Sequence, residues 1–224
     1  MTTIYLIPGL ACDRQLFDPL FEHLNNMTST NEFNFVVLEH LEPIDIHEEL
    51  SEYAKRLADH IPDKESIVIG VSLGGIIGIE LSRHRTFKVL ITISSVSHYK
   101  QVPRSIRVLQ FFPIHRVVPS KLSKWCLIHF AKWFKIVHKD YRYIWKRMVD
   151  QSTDKHLSWG RHQVIHWRGK YADCPHFRII GDKDHIFSNI NETDIVIKEG
   201  NHAMVMNQAK LIAKNILEVL KNSL

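Results

Sequence analysis

The chain has 224 residues, with 45% hydrophobic and 24% charged side chains, which suits one sizeable globular core rather than two full domains. Three cysteines (Cys12, Cys126 and Cys174) match no zinc or CxxC spacing and make a disulfide framework unexpected, so a reducing compartment is the default. No basic leader with an apolar core opens the chain and no apolar run is long enough to span a bilayer; the expectation is a soluble, cytoplasmic protein.

Residues 4–7 are apolar and end at Pro8-Gly9, which reads as a buried strand stopping in a tight loop. Asp13 is suited to cap a helix reaching about Leu24, with Leu16, Phe17, Leu20 and Leu24 on one face. Residues 33–38 read as strand two. Residues 47–60 carry Leu50, Tyr53, Ala54 and Leu57 at helical spacing, and Pro62-Asp63 ends that helix. Residues 66–71 form strand three. The helix expected over 73–84 contains glycines that argue for close packing rather than intrinsic propensity. Strand four spans 88–94. After a largely helical stretch come strands at 177–180 and 194–197, and a closing helix over 204–220. Continuous apolar strands alternating with helices predict a parallel sheet covered on both faces.

The charge is unevenly spread. Residues 98–170 hold 16 Lys and Arg against 3 acids, while the rest of the chain holds 13 against 21. That asymmetry marks the middle segment as a unit apart.

Gly70-Val71-Ser72-Leu73-Gly74 fits the G-x-S-x-G pattern, between an apolar strand and an Ile-rich helix. The pattern alone is weak; strand, sharp turn and helix are the context its chemistry requires. The turn would raise the Ser72 hydroxyl to the carboxyl end of the sheet, with a helix N-terminus favouring developing negative charge.

With these residues the sequence resembles the α/β-hydrolase superfamily, most of all small bacterial members that lack two leading antiparallel strands. The resemblance implies a three-layer α/β sandwich with a mostly parallel central sheet. It implies a core of residues 1–97 and 171–224, with 98–170 inserted as a basic helical lid. It also implies the chain order nucleophile, acid, histidine. His202, in Glu199-Gly200-Asn201-His202, resembles the family's histidine loop and is the expected base; His185 is the nearest of its rivals among 15 histidines. Gly181-Asp182-Lys183-Asp184 resembles the family's G-x-x-D turn, which selects Asp184 as the acid with Asp182 as the alternative. Backbone N–H groups of Leu10 and Leu73 are the expected oxyanion hole. The chain has Pro8-Gly9 where the family often has His-Gly, and that pair also suits a plain turn.

The implied activity is a serine hydrolase of carboxylic esters or thioesters with no metal and no organic cofactor. An acyltransferase, a C–C hydrolase and a non-catalytic binding member are the alternatives on the same fold. The basic segment, with Trp125, Phe130, Trp133, Phe134 and Trp145 among its cations, suits a solvated lid. Two further readings compete with it, recognition of an anionic substrate and weak contact with an anionic membrane surface. No motif supports nucleic acid as a partner. Trp159 and Trp167 are expected to pack the return of the segment onto the core, or to line the site.

Overall fold

A computed structural model describes residues 2–28, 32–61, 66–111, 118–133, 136–187, 189–192 and 194–223. Its strands are β1 (Thr2–Ile7), β2 (Phe33–Val37), β3 (Ser66–Val71), β4 (Phe87–Ile93), β5 (His176–Gly181) and β6 (Ile195–Ile197). They form one sheet in the order β2-β1-β3-β4-β5-β6, and each neighbouring pair is parallel. β3 is buried along its whole length, which explains why it reads as an unbroken apolar run rather than an alternating one.

The helices are α1 (Asp18–Met27), α2 (Leu50–Ala58), α3 (Leu73–Leu81), α4 (Arg104–Val108), α5 (Ser120–Trp133), α6 (Arg142–Gln151), α7 (Asp154–His166), α8 (Met204–Asn207) and α9 (Ala209–Ser223). α1 and α9 pack together on one face, where Leu20, Leu24, Ile212 and Ile216 meet Leu6, Ile69 and Ile91. α2, α3 and α7 cover the other face through Tyr53, Leu57, Ile77 and Trp159. Right-handed crossovers from a sheet that grows in both directions from β1 and β3 place helices on both faces in this way. Strand order reverses between β1 and β3, and the crevice beyond their carboxyl ends is where such sheets bind ligands.

Helix boundaries depart from the periodicity in two places. Arg14–Phe17 is a separate 3-10 turn, capped by Asp13, whose carboxylate accepts from Gln15 N at 2.8 Å. α1 begins only at Asp18 because Pro19 is best tolerated in a first turn. The closing helix is broken at Gln208 (φ −129°, ψ 35°) into α8 and α9. In the basic segment α5 is described over Ser120–Trp133, and Phe134 lies outside the described residues. Trp159 and Trp167 are both core residues. Trp159 donates to Glu48 O at 2.9 Å and Trp167 to the buried Glu80 Oε1 at 2.7 Å. Among the described residues no helix is long and apolar enough to cross a membrane.

Candidate active site

Ser72 follows β3 directly and sits at φ 53°, ψ −116°, a region that non-glycine residues seldom occupy. Two close approaches hold it there. A Cβ on Gly70 would lie 2.4 Å from Gly74 O, and one on Gly74 would lie 2.2 Å from Ile7 O. The elbow can fold only if both positions lack side chains. Ser72 N donates to Ile93 O at 3.0 Å and Ser95 Oγ donates to Ser72 O at 2.7 Å, so β4 and the loop after it fix the turn from the far side.

His202 comes from the loop between β6 and α8. Its Nε2 is 3.0 Å from Ser72 Oγ, and its Nδ1 is 2.9 Å and 3.2 Å from the two carboxylate oxygens of Asp184. A carboxylate can only accept, so Nδ1 carries the proton and Nε2 turns its lone pair to the serine. Asp184 is 2% exposed. Burial pushes its carboxyl pKa up, but the neighbouring His202 and the N–H groups of Phe187 and Ile186 outweigh that and hold it below the ordinary value. The two loops are brought together by Gly181 and Gly200, where a Cβ on Gly181 would fall 2.0 Å from Gly200 O. Of the alternatives, Asp182 and His185 are both exposed, and among the described contacts neither meets His202 or Ser72 by a hydrogen bond.

Set against solved structures, the chain is similar to a thermophilic esterase from Thermogutta terrifontis, at 16% identity and TM-score 0.72, over 100% of this chain and 90% of that one. It is similar to a bacterial membrane phospholipase A, at 16% identity and TM-score 0.68, over 99% and 79%. It is also similar to the thioesterase domain of the curacin biosynthetic pathway, at 11% identity and TM-score 0.65, over 96% and 91%. The chain has the α/β-hydrolase fold. No protein-family model and no curated protein sequence matches it.

In this α/β-hydrolase-fold chain Ser72 and His202 open onto an apolar cavity of about 380 Å³. Its walls come mostly from the basic segment: Ile106 of α4, Leu127 and Phe130 of α5, Trp145 of α6 and Val164 of α7. Arg161 is the one Lys, Arg, Asp or Glu among the described lining residues. α7 approaches the expected oxyanion residues at Gly160, where a Cβ would meet Leu10 Cδ1 at 2.4 Å and Leu73 Cδ2 at 3.0 Å.

Two supporting residues escape sequence reasoning. His40 follows β2 and is half-buried, and its Nε2 donates to Gly9 O at 3.1 Å, an oxygen that also accepts from Cys12 N at 3.1 Å. Burial lowers its pKa to about 4, so the ring is neutral. No local motif distinguishes this histidine from the others. Arg178 is in the middle of β5 and 3% exposed. It donates to Ser95 O at 2.7 Å, Asn189 O at 2.7 Å and Asp194 Oδ2 at 2.6 Å, tying the loop that carries Asp184 to the end of β4. An arginine inside an apolar strand was the available signal for it.

Proposed function

We propose that the protein is a serine hydrolase of carboxylic esters or thioesters, with Ser72 as nucleophile, His202 as base and Asp184 as the acid that orients it. The observation that carries this is the continuous hydrogen-bonded chain Ser72–His202–Asp184 at the floor of an apolar cavity. The solved neighbours support the substrate class, since they include an esterase, a phospholipase A and a thioesterase domain.

In the reaction, His202 Nε2 takes the Ser72 proton as Oγ attacks the acyl carbonyl carbon. The N–H groups of Leu10 and Leu73 receive the oxyanion. Leu73 is the first residue of α3, where N–H groups have no acceptor within the helix. Collapse expels the alcohol or thiol, which leaves with the proton held by His202. Water then gives a proton to the same nitrogen and attacks the acyl-serine, releasing the acid and restoring Ser72. Asp184 remains ionised throughout and stabilises the imidazolium.

His40 gives this scheme a mechanical basis. Gly9 O and Leu10 N–H belong to one peptide plane and point in opposite directions. Fixing the oxygen with His40 and Cys12 therefore aims the N–H. A preorganised donor needs no reorientation as charge develops.

The deciding experiment is turnover of a short-chain aryl ester by Ser72→Ala, with fluorophosphonate labelling mapped by mass spectrometry. Loss of roughly 10⁴-fold or more in kcat with unchanged circular dichroism is expected, and label on Ser72 alone in the parent chain. Unchanged turnover, or label elsewhere, excludes the assignment.

A further inference from the structure

The outer face of α4 borders a groove of about 370 Å³ framed by Arg104, Arg107 and Arg168, with Tyr99 and Gln110 beside them. Among the described lining residues there is no carboxylate. Nor is one free in the same segment. Its three acids, Asp140, Asp150 and Asp154, pair with His138, Lys146 and Lys124. Arg168 is preset: Nη1 donates to Trp167 O at 2.8 Å, Nη2 donates to Gln110 Oε1, and its guanidinium lies 5.9 Å from the Tyr99 ring centroid. The Nε of Arg107 is buried and has no hydrogen-bond partner among the described residues. Three cations around one groove, with no carboxylate among its described lining residues, suit an anion.

The groove and the catalytic cavity share one short stretch of chain. Ile106 and Leu109 line the catalytic cavity, while Arg107, Val108 and Gln110 line the groove. α4 and the turn after it are the partition, about 10 Å thick as a helix is.

We propose that the groove binds a phosphate group at the far end of a long arm on the leaving group of the acyl substrate. This rests on the serine hydrolase reading and narrows its substrate class. Phosphate suits the groove better than carboxylate, because its extra charge and oxygens engage more than one guanidinium fork. The partition sets the arm: an acyl phosphate or an acyl glycerol phosphate carries its phosphate too close to the scissile bond to reach round α4. A thiol or alcohol with a phosphorylated end roughly one helix diameter away reaches both sites.

The test separates the groove from the chemistry. With the Ser72→Ala protein, calorimetry of free coenzyme A against pantetheine, which lacks the phosphates, should show at least about tenfold tighter binding of coenzyme A. The double variant Arg104→Gln/Arg107→Gln should remove most of that difference. High salt should do the same to the unsubstituted groove, a check that does not depend on the variant folding. Equal binding of the two ligands, or a difference that survives both treatments, overturns the phosphate site whatever Ser72 does. With the active chain, hexanoyl coenzyme A should show a KM about tenfold or more below that of the N-acetylcysteamine thioester, at similar kcat. Hexanoyl glycerol 3-phosphate should gain nothing over hexanoyl glycerol; a comparable gain there overturns the long arm. Failure to turn over any of these overturns the hydrolase reading, while the calorimetry still decides the groove.

Discussion

Around Ser72 the backbone leaves almost no choice. Gly74 is so close to Ile7 that one added carbon would sit 2.2 Å from a carbonyl oxygen, and the loops bearing Asp184 and His202 meet at two glycines with similarly little room. The segment above is held differently. α5 leaves Trp125 and Trp133 47% and 65% exposed, and buries only Ser123 and Ala131. α7 is held more firmly, half-buried on one side and anchored in the core by Trp159 on the other. Fixed geometry is concentrated where bonds would be made and broken, and adaptable side chains where a substrate would be selected. A rigid scaffold carrying a variable surface is a general way to place one chemistry over many ligands.

This contrast can be broken by substitutions in the two regions. Asp184→Asn should have the largest effect, lowering kcat on an aryl ester by about 10⁴-fold with the fold intact, because the amide no longer selects the correct imidazole tautomer. A small loss would mean that the carboxylate merely braces the loop. Next comes His40. His40→Ala should reduce kcat by roughly 10- to 100-fold with little change in KM, as a donor aimed less well is lost mainly from the transition state. His40→Gln, which retains a donor, should recover part of it; equal losses in both variants would show that only packing matters there.

Acid should then act on the scaffold before it acts on exposed parts. Burial lowers His40 and His176 to about 4 and His156 to about 3, against an ordinary value of 6.5. In that window the unfolded chain binds more protons than the folded one, so stability falls as pH drops below about 6.5 and is fully regained above it. Urea melts between pH 7 and pH 4 measure this, and a flat profile would deny that these rings are held neutral in the folded chain. Trp133→Ser should do least: stability within about 1 kcal/mol and aryl ester turnover nearly unchanged. A large loss of turnover would place α5 among the rigid parts and erase the contrast.

The site was more legible in the sequence than the surface above it, for a physical reason. The elbow depends on local backbone sterics, and glycines flanking Ser72 record those sterics at fixed spacing. The strands likewise read as apolar runs because burial on both faces demands it. Asp184 and His202 were singled out through resemblance to the family's loops, each of which follows a strand visible in the sequence. His40 could not, since its partner Gly9 is 31 residues away and nothing nearby registers the contact. The same holds for Arg104, Arg107 and Arg168, whose convergence depends on how α4 settles against the core. Composition registers that the segment is basic, but not which cations face a common space. Helix ends were blurred where the chain changes winding, at Phe17 and Gln208, because apolar spacing continues across both breaks.

The backbone at Ser72 has one more consequence. A residue with a side chain held at φ 53°, ψ −116° costs the folded state on the order of 1–3 kcal/mol. Glycine would relieve that penalty, so Ser72→Gly should melt later than the parent chain unless its looser unfolded state cancels the gain. On the proposed mechanism, the variant that melts later is also the one that turns nothing over, so stability and activity pull this one position in opposite directions.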